Sequence, residues 1–87
     1  MAPLTDNEKR TIAARFVELK KAIAEDAVDV ETKYEAFRHD YRGASRAYVD
    51  SFSRALDRKV WVGQLDLNLS EEIEPQFWNP DALASAT

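Results

Sequence analysis

The single histidine, His39, is the natural starting point for acid–base or metal chemistry in this 87-residue chain. Glu35 precedes it by four residues and Asp40 follows it directly. On a helix, Glu35 and His39 share a face. A di-metal carboxylate bundle uses Glu-x-x-His, an offset of three, backed by further Glu on facing helices. Here the offset is four, and the first apolar stripe of the chain carries no Glu. The pattern therefore points to a solvated or ion-paired histidine. There is no cysteine, which excludes a thiolate metal site, a cysteine nucleophile and a disulfide scaffold. Two glycines are too few for a Gly-rich phosphate loop. One histidine and no cysteine leave no nucleophile, base and orienter to assemble. The chain reads as non-catalytic, with no cofactor and no metal.

Asp66-x-Asn68-x-Ser70 resembles the opening of an EF-hand calcium loop, with Ile73 at its hydrophobic position. The loop needs Gly at its sixth position and Glu at its twelfth, for the sharp turn and the bidentate ligand. Glu71 and Phe77 stand there instead, so calcium is not expected. Glu71, Glu72 and Glu74 then read as an acidic surface. The overall charge of −4 conceals a dipole. Residues 38–59 hold Arg38, Arg42, Arg46, Arg54, Arg58 and Lys59 against three acids, whereas residues 60–87 hold five acids and no Lys or Arg. Arginines four apart drift about 40° per step around a helix, so they wrap it and make no flat basic patch. Direct nucleic-acid binding is not expected of a chain with this balance.

These residues must be carried by helices for the most part. Thr5-Asp6-Asn7-Glu8 fits a capping box. Ile12, Phe16, Leu19 and Ile23 then recur at offsets of four, three and four, which predicts a first helix over 6–25. Asp26 to Asp29 reads as a break, with Asp29 as the next N-cap. Val30, Tyr34, Phe37, Tyr41, Tyr48, Phe52 and Leu56 form an aromatic stripe, with Ala44 and Ala55 in its gaps. It predicts a second helix over 30–58. Gly43 lies nearly opposite that stripe and costs about 1 kcal/mol against Ala inside a helix, so either the helix kinks or breaks there or another backbone approaches closely.

From Lys59 the period changes. Leu65, Leu67 and Leu69 alternate with Asp66 and Asn68, and Val60, Trp61 and Val62 are good strand formers. Residues 59–69 are expected to form one strand, or a hairpin turning at Gly63-Gln64. Residues 70–87 are expected to be an extended acidic tail, interrupted by Pro75 and Pro80, with Ser70 capping a short turn. The resulting architecture is mainly α. An antiparallel helical hairpin over 1–58 is followed by a β segment over 59–69 and an acidic tail over 70–87, all in one small domain.

A chain this short buries about 60–65 % of its unfolded surface. Two helices with one apolar face each leave a one-sided core, completed by a homodimer or by docking on a larger protein. Trp61, Leu65, Leu67, Leu69, Ile73, Phe77 and Trp78 are the expected partner contacts, since they stand outside the two-helix seam. The expected function is a non-catalytic accessory or regulatory subunit that binds a larger protein. The alternative is a small acidic inhibitor of phage type, whose Glu71, Glu72 and Glu74 occupy a target's nucleic-acid groove. The N-terminal residues carry no apolar signal core, and no run approaches the ~18 apolar residues of a membrane span. A cytoplasmic bacterial or phage protein is the expectation, the source being suggested by thirteen Ala and by seven Arg among twelve bases.

Overall fold

The computed structural model describes residues 4–78. It is mainly helical. In chain order, α1 spans Asp6–Ala24, α2 Val30–Asp40 and α3 Arg46–Val49. A 3₁₀ turn follows at Asp50–Arg54, then α4 over Arg58–Glu72 and a last 3₁₀ turn at Pro75–Phe77.

α1 begins with the expected capping box. Thr5 N–H donates to Glu8 Oε1 at 2.9 Å, and Glu8 N–H donates to Thr5 Oγ1 at 3.1 Å. Its far end is a Schellman motif. Asp26 takes a left-handed conformation at φ 51°. Ala27 N–H then reaches Ala22 C=O at 2.9 Å, and Asp26 N–H reaches Ile23 C=O at 3.2 Å. Aspartate tolerates that backbone better than most non-glycine residues, which explains a sharp helix end without Gly. Asp29 flanks α2 as expected, but its side chain makes no capping bond.

α1 and α2 form an antiparallel hairpin. Arg15 pairs with Asp40 and Glu18 with Lys33, so contacts advance along one helix as they recede along the other. Ile12, Phe16, Leu19 and Ile23 are buried against Val30, Tyr34 and Phe37, with the Phe16 and Phe37 rings 5.6 Å apart.

The predicted second helix over 30–58 is broken close to Gly43. Tyr41 is extended, at φ −82° and ψ 130°, and ends α2. Residues beyond it form α3 and the 3₁₀ turn. Gly43 is explained by close approach: a Cβ there would overlap Glu72 Oε1 and the Tyr41 hydroxyl.

The β segment expected over 59–69 is not found, and no strand occurs among the described residues. Those residues lie in α4. Asp57 caps it, its carboxylate accepting from Lys59 N–H at 2.9 Å and Val60 N–H at 3.3 Å. Trp61, Leu65 and Leu69 recur at offsets of four and, with Val62, bury one helical face. Of the three leucines that alternate at period two, Leu65 and Leu69 thus also fit period 3.6, and Leu67 is left outside. α4 runs antiparallel to α1, since Lys20 pairs with Asp66 and Lys9 with Glu74. It covers the face that a two-helix hairpin leaves open.

The tail expected from 70 onward is shorter where it is described. Ser70 lies inside α4, its hydroxyl donating back to Asp66 C=O at 2.8 Å. Beyond the helix, Phe77 is buried and Trp78 packs edge-on to Phe16 at 5.6 Å. Residues 79–87 lie outside the described residues. Among those described, no helix is long and apolar enough to cross a membrane.

Candidate protein-binding surface

Five of the seven residues expected to meet a partner are inside this chain. Trp61, Leu65, Leu69, Ile73 and Phe77 belong to the buried core. Trp61 stacks on Tyr48 at 5.8 Å and meets Phe52 edge-on at 4.9 Å. Its indole N–H donates to Tyr48 C=O at 3.2 Å, while the Tyr48 hydroxyl donates to Trp61 C=O at 3.0 Å. Trp78 is half-buried, with its N–H held by Ile73 C=O at 3.1 Å. Leu67 alone of the seven faces outward, 65 % exposed.

The three acidic residues have different surroundings. Glu71 is exposed. Glu74 receives Lys9 Nζ at 2.8 Å, and that hydrogen bond holds its carboxyl below the ordinary range. Glu72 latches the α2–α3 loop to the end of α4. Its Oε1 accepts from the Tyr41 hydroxyl at 2.6 Å and from Ala44 N–H at 3.1 Å. Its Oε2 accepts from the Ser45 hydroxyl at 2.7 Å. The Tyr41 oxygen in turn accepts from Ser45 N–H at 2.7 Å. Burial, then the hydrogen bond to Glu72, pushes the Tyr41 hydroxyl far above its usual range. A carboxylate so surrounded by donors from one loop closes the fold locally.

Arg38, Arg42 and Arg46 are likewise engaged. Arg38 and Arg46 both hold Asp50, at 2.9 and 3.2 Å, and the Arg38 hydrogen bond chiefly depresses the Asp50 carboxyl. Arg42 and Arg46 donate to carbonyls at the end of α2, Tyr41 among them. They satisfy acceptors that the broken helix leaves open. His39 lies in solvent with Nδ1 3.3 Å from Asp40. Among the described residues, no group of three or more His, Asp or Glu is placed to hold a metal ion.

The surface that stands out lies elsewhere, around Leu56. The aromatic stripe places Leu56 in the core, four residues after Phe52. The structure puts it fully in solvent, at 105 % relative exposure. The 3₁₀ turn ends at Ala55, which is extended at ψ 128°, and Asp57 is extended at φ −134°. This short extended stretch turns Leu56 away from the face that Phe52 buries. Leu56 and Asp57 form a ridge between two open grooves. One groove, of about 380 Å³, is mainly apolar and lies between Tyr48, Ala55, Val60 and the edge of Trp61, with Arg54 at its border. The other, of about 430 Å³, has Ile23, Ala27 and Val30 in its wall and Asp26, Arg58 and Lys59 around them. Val28, also fully exposed, belongs to the same turn as Asp26 and Ala27. An exposed apolar side chain flanked by one mainly apolar hollow and one rimmed by mixed charge has the composition of an interaction site. The sequence signal for it was the Ala55-Leu56-Asp57 stretch ahead of a cap. That signal is hidden because Leu56 also fits the stripe.

Comparison with protein-family models, with curated proteins and with solved structures finds no match to this chain.

Proposed function

We propose that this chain is a non-catalytic accessory or regulatory subunit that binds a larger protein through the surface around Leu56. The observation that carries the reading is a leucine wholly in water between two hollows. Burying a leucine is worth about 1.5–3 kcal/mol, which nothing among the described residues collects. The polar residues at the rim, Arg54, Asp26 and Lys59, suit a protein surface of mixed charge. The acidic-inhibitor reading draws less support, because Glu72 and Glu74 are engaged by donors of their own chain.

The test is affinity purification of the tagged chain from its native cells beside Leu56→Glu. A stoichiometric protein partner is expected with the wild type and not with the variant. An unchanged partner with Leu56→Glu contradicts the reading, as does a wild-type chain that carries none. Circular dichroism keeps the comparison clean, since a charge at the fully exposed Leu56 is expected to leave the fold intact.

A further inference from the structure

α4 has a second apolar face that the fold does not use. Its inward face is Trp61, Val62, Leu65 and Leu69. On the outward side, Val60, Gly63, Gln64 and Leu67 fall within an arc of about 100°. Val60 and Leu67 are 69 % and 65 % exposed. Gly63 sits between them with an ordinary negative φ, and a Cβ built on it meets nothing within 4 Å. Neither conformation nor crowding among the described residues asks for glycine there, in contrast to Gly43. A glycine inside a helix is nevertheless destabilising relative to alanine.

The charges of α4 are equally odd for a helix on its own. Its first turn holds Arg58 and Lys59 and no acid, and its last turn holds Glu71 and Glu72 and no base. Apart from the capping carboxylate of Asp57, that order opposes the helix dipole. It becomes favourable when a second helix of the same sequence lies alongside in the opposite direction.

We propose that α4 packs antiparallel on α4 of a second copy of this chain, about a two-fold axis beside Gly63 and Gln64. An axis there sets Val60 level with Leu67 of the partner subunit, and Leu67 level with the partner's Val60. The contact is self-complementary, as a two-fold interface must be. Gly63 removes a side chain where the two backbones are closest, which lets the flanking apolar pairs meet. Lys59 comes within reach of the partner's Glu71, about one turn from its own level. Among the described residues, Lys59 has only a loose pair with Asp26, at 3.9 Å. A 15-residue helix gives a seam of about 22 Å, so the dimer is small and its Kd falls on the order of micromolar. This contact shares Val60 and Lys59 with the grooves beside Leu56, but it does not use Leu56 itself and forms in the purified protein without any other partner.

Sedimentation equilibrium of the full chain over a concentration series tests it. The mass is expected to rise with concentration from the chain's 9.9 kDa toward twice that value. Leu67→Glu should abolish the rise. Gly63→Leu should do the same while its far-UV circular dichroism stays at least as helical as wild type, since the site is open in the single chain. Lys59→Glu should weaken the dimer about tenfold, because the pair occurs twice, and adding Glu71→Lys should restore it. A chain that stays monomeric at its highest soluble concentration overturns the proposal. So does a dimer whose Kd is unmoved by Gly63→Leu and Leu67→Glu.

Discussion

Alanine at the two glycines should shift stability in opposite directions. At Gly63 the backbone is helical without a positive φ, and the space around a new Cβ is empty. Only helix propensity changes, and Gly→Ala is worth about 0.8–1 kcal/mol inside a helix. For a domain of this size, that raises Tm by about 4–8 °C. At Gly43 a new Cβ overlaps Glu72 Oε1 and the end of the Tyr41 ring. The ring cannot yield, because Tyr41 is wholly buried and stacked on Phe37 at 5.5 Å. Glu72 must move, and it leaves behind the Tyr41 hydroxyl, Ala44 N–H and Ser45 hydroxyl. Hydrogen bonds to a charged acceptor contribute about 1.5–3 kcal/mol each, and water restores part of the loss at this partly exposed carboxylate. The expected net cost is about 2–4 kcal/mol. Urea titrations followed by far-UV circular dichroism, at one low protein concentration, read both changes against the wild type. The reasoning fails if Gly43→Ala falls within about 0.5 kcal/mol of wild type, or if Gly63→Ala destabilises by more than that.

Tyr41→Phe should cost about 1–3 kcal/mol in the same titration, because it strands Ser45 N–H and removes a donor from Glu72. A hydroxyl whose pKa is raised on folding stabilises below its ordinary value and loses that contribution as pH rises through the folded value. Tyr41→Phe should therefore reduce the fall in Tm above about pH 10. The acid limb has the opposite sign. Asp50, Asp40, Glu18 and Glu74 are held below their ordinary range, first by hydrogen bonds from Arg38, His39, Lys33 and Lys9 respectively. Their contribution is complete above the ordinary carboxylate range and disappears as pH falls through the depressed values. Tm should drop there, and less steeply at high salt, since these pairs are exposed. Trp61→Ala removes a ring that meets Tyr34, Tyr48 and Phe52, and should cost about 3–5 kcal/mol by thermal unfolding.

Local signals were the legible ones. The Thr5–Glu8 box, the Ile12–Ile23 stripe and the break at Asp26 rest on residues within one or two turns of each other, and each has its counterpart in the structure. The aromatic stripe was legible through Phe37 and Tyr41, and the interruption near Gly43 was among its alternatives. What closes on Gly43 is a tyrosine of its own loop and a carboxylate 29 residues away in the chain, a pairing no local pattern encodes. The stretch from Lys59 to Leu69 was misread because a short apolar run satisfies two periods at once. Asp57, three residues ahead of Val60, was the deciding signal, as its carboxylate satisfies the first amides of a helix and has no such role in a strand. Once that stretch is helical, Trp61, Leu65 and Leu69 turn toward α1 and α2, and the residues expected to seek a partner become the core. The same geometry pushes Leu56, Val60 and Leu67 outward. The surface was therefore not legible before α4 was.

The central claim is that recognition runs through Leu56 and not through the aromatic residues at the end of the chain. Tagged wild type, Leu56→Glu and Trp78→Phe, purified in parallel from native cells, test it in one measurement. The account predicts the same stoichiometric protein partner with the wild type and with Trp78→Phe, and its loss with Leu56→Glu. A partner retained by Leu56→Glu and lost by Trp78→Phe would contradict it.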